Sequence, residues 1–167
     1  MKLKKLIEDI NKKIEAIYKL IGFTDQVSWD DMKKVDWKVG EVLHIDETRN
    51  TKLYEDDYHI KIQTVMPPGS SFTPSHFHDF VEFCTVKSGQ LFEPLLNRYT
   101  AVGGRIAYDY MQPHEPTNDK EVDCVLIVDW VKTADIDEAI RYLDNASIKP
   151  SASDIEKTIK RHLDDLP

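Results

Sequence analysis

A series of short strand-like segments, separated by turn signals, constrains the fold of this chain most strongly. Residues 58–66 read YHIKIQTVM and alternate between a mostly apolar and a mostly polar side, which is the pattern of a β-strand. Residues 122–131, VDCVLIVDWV, are rich in β-branched side chains and predict a buried strand. Turn signals occur at Thr48-Arg49-Asn50, Pro67-Pro68-Gly69, Ser88-Gly89, Gly103-Gly104 and Asn118-Asp119. We therefore predict a mainly β body over residues 35–132, of sandwich, jelly-roll or barrel type.

Helical patterns flank this β body. The N-terminal residues carry an apolar stripe at alternating four- and three-residue steps, formed by Leu3, Ile7, Ile10, Ile14, Ile17 and Ile21. The stripe predicts an amphipathic helix in an arm of residues 1–34, which either packs on its own domain or pairs with a second subunit in a homodimer. The segment ADIDEAIRYLDNA and the capping box that starts at Ser153 predict two C-terminal helices within residues 133–167. Ser28 is the predicted N-cap of a short turn before the β body.

Composition and charge exclude several classes of partner. The net charge of −8 and the pI of about 5.2 make the chain a poor binder of polyanions, so we expect neither nucleic acid nor an anionic membrane as a partner. No apolar stretch has the length of a membrane span. The cysteines, Cys84 and Cys124, lie in apolar runs, where a thiol is usually a small buried hydrophobe. We expect a reduced, cytoplasmic protein.

Polar side chains cluster unexpectedly in the segment HFHDFVEFCTVKSG, residues 76–89. His76, His78, Glu82 and Cys84 share even numbering, so in an unbroken strand all four side chains point to one face. Buried polar groups need a partner, which is a metal ion or a hydrogen-bond network, whereas on an exposed face water suffices. Imidazole and carboxylate groups are ligands for divalent transition metals such as Fe, Zn, Mn or Ni. His114, from a distant loop, supplies a candidate fourth ligand.

These residues resemble the two motifs of the cupin superfamily. The first motif is matched by Gly69-SSFTPS-His76-Phe77-His78-DFV-Glu82-FCTVKS-Gly89, and the end of the second by His114-EPT-Asn118. The resemblance covers residues 35–132 and implies a cupin-type double-stranded β-helix, a jelly-roll barrel. Carried over by position, it implies that the metal ligands are His76, His78, Glu82 and His114.

Two positions depart from the family pattern. The Pro-x-Gly turn before the second-motif histidine is replaced by Asp109-Tyr110-Met111, and the Gly-Asp that opens the motif is Gly104-Arg105. We therefore expect the loop that leads to His114 to follow a different path.

Five further side chains are candidates for the wall of a substrate pocket. Tyr108 and Tyr110 share a parity near His114 and are suited to hydrogen-bond a substrate, although strand tyrosines more often only pack. Cys84 lies beside the predicted ligands, where a packed thiol is the alternative. His59 and Gln63 line the cavity if their face of the strand is the inner one.

The resemblance implies a metal-dependent enzyme that acts on a small organic molecule. A dioxygenase-type oxidoreductase is the first hypothesis, because such enzymes are frequent among cupins. The alternatives are a Lewis-acid isomerase or lyase and a non-enzymatic module that senses or binds a metal or small ligand. Since one fold hosts many functions, the choice among them has to come from the site.

Overall fold

The computed structural model describes residues 2–3, 5–6, 25–72 and 75–144. Most of the N-terminal apolar stripe and the whole of the helix expected after Ser153 lie outside the described residues. These two helices, and the homodimer suggested by the first of them, therefore stay predictions. No helix within the described ranges is long and apolar enough to cross a membrane.

The described chain is mainly β, as the sequence predicts. The strands are β1 (Asp25–Val27), β2 (Val42–Ile45), β3 (Thr48–Glu55), β4 (His59–Met66), β5 (His76–His78), β6 (Val81–Ser88), β7 (Gln90–Glu93), β8 (Arg98–Ala101), β9 (Arg105–Tyr108) and β10 (Cys124–Val131). The helices are α1 (Trp29–Lys33) and α2 (Ile136–Asp144). The first of the two predicted C-terminal helices is thus confirmed by α2.

Six of the strands form one antiparallel sheet in the order β2-β3-β4-β10-β6-β9. Strands β7 and β8 form a separate antiparallel pair, and β1 pairs in parallel with β5. Among the described strands the hydrogen-bonded sheet does not close on itself. The β-rich architecture of the prediction is therefore present, with an open sheet in place of a fully closed barrel.

The sheet buries side chains on both faces. On the inner face, even-numbered residues of β4, β6 and β10 form the main core, which includes Ile60, Ile62, Met66, Cys84, Val86, Leu126 and Val128. On the outer face, Val81, Phe83 and Val131 pack against Ala139 and Leu143 of α2. Every residue of β4 is consequently buried, although its sequence alternates. On the outer face His59 and Lys61 contact Asp129, and on the inner face the Thr64 hydroxyl donates to Asn50 at 2.7 Å.

Local turn signals are partly confirmed. Ser28 is the N-cap of α1, and its hydroxyl oxygen accepts a hydrogen bond from the Asp31 backbone N–H at 3.0 Å. The turn predicted at residues 48–50 is wrong, because β3 begins at Thr48. The reversal lies two residues earlier, where Asp46 has a φ of 52° and the Thr48 hydroxyl donates to the Ile45 carbonyl at 2.7 Å. Asp tolerates this left-handed conformation, so the turn needs no glycine.

Gly89, which ends the first motif, is required by close packing. Its φ is 77°, and a Cβ atom at this position would lie 2.4 Å from the Asp123 carbonyl oxygen. A side chain there would therefore clash with backbone at the edge of β10. The match of this glycine to the motif thus has a direct steric reason.

Candidate metal centre

The first-motif ligands lie on two strands joined by a sharp bend. β5 carries His76 and His78, β6 carries Glu82, and residues 79–80 between them belong to neither strand. The expectation of one unbroken strand is therefore wrong. The bend has local causes, since the carboxylate of Asp79 accepts the Trp29 backbone N–H at 2.8 Å and the Phe80 carbonyl lies 2.8 Å from His78 Nδ1.

A loop held against β5 brings the second-motif histidine to the same place. The backbones of His76 and His114 exchange two hydrogen bonds of 3.0 and 2.9 Å. Met111 donates its N–H to the His78 carbonyl at 2.9 Å and has a φ of 60°. Met111 occupies the glycine position of the missing Pro-x-Gly turn, and it adopts the left-handed conformation that glycine favours. The loop therefore places His114 beside β5 although the Pro-x-Gly turn is absent.

His78, Glu82 and His114 form what we call the inner cluster. One ligand atom from each lies within 4.8 Å of the others. His114 Nε2 is 3.5 Å from Glu82 Oε2, and His78 Nε2 is 3.7 Å from Glu82 Oε1. All three side chains are buried. The cluster thus brings two imidazole nitrogens and a carboxylate together in the interior.

His76 lies beside the inner cluster but is not one of its three members. Its ring centroid is 4.3 Å from that of His114 and 6.4 Å from that of His78. It is half-buried, whereas the three cluster residues are buried. Its role as a metal ligand stays a prediction.

Both cluster histidines present an unpaired nitrogen to Glu82. His78 Nδ1 lies 2.8 Å from the Phe80 carbonyl, and His114 Nδ1 lies 2.8 Å from the Gln112 carbonyl. A carbonyl oxygen only accepts, so each Nδ1 carries the donated proton, and in the neutral form of such a ring Nε2 has a lone pair. Neither Nε2 atom has a hydrogen-bond partner among the described residues. A buried polar atom without a partner is costly, so both atoms indicate a missing ligand.

The charge balance of the inner cluster calls for a cation. Burial alone would raise the pKa of Glu82, but the neighbouring imidazoles and the Trp130 indole hold it lower, at about 2. Burial lowers the pKa of His114 to about 3, so this ring is neutral at physiological pH. No Lys or Arg side chain within the described part of the chain forms an ion pair with Glu82. The ionised Glu82 carboxylate therefore lies beside the neutral His114 ring, with no Lys or Arg partner among the described residues.

Two neighbours fix the Glu82 carboxylate. The Trp130 indole N–H donates a short hydrogen bond to Oε1, and the Cys84 thiol donates to Oε2 at 3.6 Å. Burial raises the pKa of Cys84 well above that of an ordinary thiol, so Cys84 keeps the proton that it donates. The sequence grouped Cys84 with the cluster, but nothing in it indicated the bond from Trp130.

Aromatic rings hold the two imidazoles in place. The Phe80 ring stacks on His78 at 3.9 Å with an interplanar angle of 1°, and the Tyr108 ring stacks on His114 at 4.2 Å and 14°. The Tyr108 hydroxyl donates to buried Glu93 at 3.0 Å, which anchors the stack. Burial raises the pKa of Tyr108, so the phenol stays neutral. Sequence reasoning missed Phe80 and Glu93, because only the tertiary structure places them beside the ligands.

The residues predicted to line a substrate pocket lie in different places. Cys84 lines a small internal cavity of about 50 Å³. Tyr108 is buried behind His114, and Tyr110 lies in the loop before it. His59 and Gln63 lie on the outer face of β4, opposite Ile60 and Ile62. The substrate roles of these five residues stay predictions.

A larger cavity opens beside the inner cluster. Its volume is about 380 Å³, and its walls come from Gln26, Val27, Ser28, Asp31, Met32, Val35, Trp37, Leu43, Ile45, His76, His78, Phe80, Glu82 and Trp130. Two of the three cluster residues thus face a space large enough for a small organic molecule.

The donor set of the inner cluster fits a divalent transition metal. Imidazole nitrogen and carboxylate oxygen suit Fe, Zn, Mn and Ni. In metal sites the second ring nitrogen of a ligand histidine typically donates to a carbonyl or carboxylate, as both Nδ1 atoms do here. The residues therefore fit such an ion, while nothing in the cluster selects one metal over the others.

No protein-family model matches this chain, and no curated protein matches it. Solved structures do resemble it. An RmlC-like cupin from Shewanella frigidimarina has a TM-score of 0.50 at 12% identity, with 62% of this chain and 96% of that chain covered. A sugar phosphate isomerase of the cupin superfamily from Silicibacter pomeroyi has a TM-score of 0.47 at 18% identity, with 62% and 74% covered.

A third structure is the Rhodobacter sphaeroides SigE in complex with the anti-sigma ChrR. Its TM-score is 0.48 at 19% identity, with 60% of this chain covered. The match spans 54% of that longer chain. At these identities the likeness concerns the fold alone.

Proposed function

This chain has the fold of the cupin superfamily, and we propose from that premise that it binds one divalent transition metal ion and acts there on a small organic molecule. His78, Glu82 and His114 are the ligands of this proposal, and His76 is a candidate fourth. The 380 Å³ cavity beside them is the candidate substrate site.

One observation supports the metal above all others. The Nε2 atoms of His78 and His114 are buried, have no partner among the described residues, and converge on an ionised carboxylate. A hydrogen-bond network would need a second proton on an imidazole whose Nδ1 already donates, and burial opposes that proton on His114 by lowering its pKa to about 3. A divalent cation satisfies both lone pairs and the carboxylate at once.

The reaction class that we propose is oxidation by dioxygen. Two histidines and one carboxylate with open positions form the donor set typical of non-haem Fe(II) oxygenases, in which the ion supplies dioxygen activation next to the substrate. This chain's residues would hold and orient that centre. Trp130 and Cys84 fix the direction of the Glu82 carboxylate, Phe80 fixes the His78 ring, and the cavity beside them has a largely apolar wall.

Metal analysis of protein purified without chelator tests the first step. We expect about one equivalent of a transition metal per chain, because genuine sites retain their ion tightly. Less than about 0.1 equivalent, after loading with Fe(II), Zn(II), Mn(II) and Ni(II) in turn, would contradict the proposal.

Three single variants test the ligand assignment. We expect His78→Ala to lose the metal and His44→Ala to keep it, since His44 lies on exposed β2 away from the cluster. His76→Ala distinguishes three protein ligands from four. Loss of a metal ligand should weaken metal affinity by more than about 100-fold, whereas loss of a residue that only contacts a ligand weakens it by about 10- to 100-fold. Circular dichroism of each variant separates loss of metal from loss of fold.

Oxygen consumption tests the reaction class. Fe(II)-loaded protein should consume oxygen with at least one member of a panel of small aromatic and thiol compounds, and His78→Ala should not. If Fe(II)-loaded protein consumes none while turning over a compound with Zn(II) or Mn(II), the site is a Lewis-acid isomerase or lyase. If it binds a compound and transforms none with any metal, the protein is a binding module.

A further inference from the structure

We infer that the cavity beside the inner cluster selects neutral, largely apolar molecules and rejects anions at any point away from the metal. This inference rests on the proposed function, because it assigns a class of substrate to the same site. It is carried by the composition of the cavity wall and by the pairing of the nearby lysines.

The cavity wall is apolar on most of its surface. Trp37, Phe80 and Trp130 supply aromatic faces, and four aliphatic side chains and a methionine supply further apolar surface. The volume of about 380 Å³ is at the small end of the range for ligand pockets. A compact molecule with an apolar body therefore fits, and a polymer or a large polar cofactor does not.

The formal charges on the described lining residues, apart from the histidines, are negative. Asp31 and Glu82 are the acidic members, and the lining contains no Lys or Arg. A phosphate or carboxylate in the cavity, unless it binds the metal itself, would lose its water without gaining a cationic partner. An unpaired buried charge of this kind costs several kcal/mol.

Three lysines close in sequence to lining residues are paired with acids. Lys33 contacts Glu55 at 2.9 Å and the Asp56 carbonyl at 3.1 Å. Lys52 is buried and contacts Glu55 at 3.2 Å. Lys34, the C-cap of α1, lies 3.6 Å from Asp31, which belongs to the lining. The charges of Lys33 and Lys52 are thus matched by Glu55, outside the lining, and the Lys34–Asp31 pair lies at the exposed rim.

The part of the wall that comes from residues 25–35 is fixed to the metal-bearing strand. Val27 of β1 is in register with His78 of β5. The Trp29 backbone donates to the Asp79 carboxylate at 2.8 Å, and its ring packs edge-on against Phe80 at 5.4 Å. The wall and the ligands therefore form one unit, so the apolar lining belongs to the same site as the metal.

Two catechols with the same metal-binding head and different tails test the inference. Protein loaded with Zn(II), which is redox-inert, is titrated with neutral 4-ethylcatechol and with anionic 3,4-dihydroxyphenylacetate at pH 7 by calorimetry. We expect the neutral probe to bind at least about tenfold more tightly, because the anionic tail is desolvated without a partner. Equal affinities, tighter binding of the anion, or no binding of either probe would overturn the inference.

A positive charge placed at the mouth of the cavity should weaken this preference. Val35 lines the cavity and is 47% exposed, so Val35→Lys adds a cation there without disturbing the core. Val39→Lys is the matched control, since Val39 is 55% exposed and is not part of the lining. We expect the preference for the neutral probe to fall to about threefold or less in Val35→Lys only. An equal fall in both variants would overturn the inference.

Metal content, measured on each sample, separates failure of this inference from failure of the proposed function. A sample without metal contradicts the proposed function, and the cavity is then tested with 2-naphthol against 2-naphthoate, which need no metal contact. Preference for the naphthol by at least about tenfold would support the apolar cavity on its own. Equal binding of the two naphthalene probes would overturn it.

Discussion

The two faces of the sheet both bury imidazole and carboxylate groups, and they differ in what neutralises the carboxylate. On the outer face, Asp129 Oδ1 lies 2.7 Å from Lys61 Nζ and 2.7 Å from His59 Nε2, and we call these three residues the outer cluster. On the inner face, Glu82 meets two histidines and no lysine among the described residues. The outer cluster thus contains its own cation, whereas the inner cluster lacks one.

This difference separates a structural network from a candidate binding site. In the outer cluster the hydrogen bond from His59 and the charge of Lys61 hold the pKa of Asp129 below its usual range, although burial opposes them. His59 Nδ1 has no hydrogen-bond partner there, but the Asp129 carboxylate has both a hydrogen bond from His59 Nε2 and the positive charge of Lys61 beside it. In the inner cluster the atoms without a partner are the two that face the carboxylate. A buried histidine with an unpaired atom therefore indicates little by itself, whereas two unpaired atoms that face a carboxylate without a lysine indicate a ligand.

The largest expected effect comes from breaking the outer cluster. Asp129→Asn leaves the ammonium of Lys61, whose side chain is 11% exposed, without its carboxylate. We expect the free energy of unfolding to fall by about 3–5 kcal/mol, measured by urea denaturation. Metal stoichiometry should be unchanged. The control Asp31→Asn, at an exposed pair with Lys34, should change stability by no more than about 0.5 kcal/mol. Equal effects of the two substitutions would contradict the prediction.

For the inner cluster we expect a large loss of metal affinity with the fold retained. Glu82→Gln keeps the shape of the side chain and removes the charge, so metal affinity should fall by more than about 100-fold, measured by competition with a chelator. The metal-free variant should stay folded by circular dichroism, because glutamine keeps the shape of the side chain and its hydrogen bonds from Trp130 and Cys84. Loss of stability with retained metal binding would make the inner cluster a structural network like the outer one.

The indole that fixes Glu82 should have a smaller effect on the metal. Trp130→Phe keeps an aromatic ring against Phe80 and removes the N–H that donates to Glu82. We expect the metal dissociation constant to rise about 10- to 100-fold. Trp37→Phe is the control, because Trp37 lines the same cavity but donates to the Glu41 carbonyl. If both variants weaken the metal equally, the bond to Glu82 has no specific role.

The smallest effect concerns a third carboxylate, at the edge of the outer face. Burial alone would raise the pKa of Asp56, but hydrogen bonds from Tyr142, Tyr54 and two backbone N–H groups lower it. A lowered folded-state pKa contributes stability above the unfolded value of about 3.9, and this contribution is lost as the pH falls through the folded pKa.

Replacement of one donor tests this pH dependence. Tyr142→Phe removes the bond from the Tyr142 hydroxyl, which lies 2.5 Å from Asp56. We expect the melting temperature at pH 7 to fall by a few degrees. We also expect the melting temperature of the variant to decrease less steeply than that of the wild type as the pH falls below about 4. Tyr58→Phe, at a 56% exposed ring, should leave both unchanged. A pH profile of Tyr142→Phe that matches the wild type would contradict this role.

Local sequence signals predicted most of the β body. The alternating pattern of residues 58–66 became β4, the β-branched run became β10, and the ADIDEAIRYLDNA segment became α2. The predicted turn at residues 48–50 failed, because an aspartate rather than a glycine adopts the left-handed conformation beside it. Patterns formed by residues that are neighbours in sequence predicted these elements correctly. The position of a turn in which an aspartate adopts a conformation typical of glycine was not predicted.

The sequence by itself determined the donor types of the site and the short spacing that brings His78 close to Glu82. Only the tertiary structure decided that His114 completes the inner cluster and that His76 lies beside it, because their distances depend on how a loop docks on β5. It alone decided that Asp129 has a lysine and Glu82 has none, since Lys61 and Asp129 are far apart in sequence and meet only after β4 and β10 have paired. Charge compensation is a property of neighbours in space, so the composition of the chain does not show which buried carboxylate needs a metal ion.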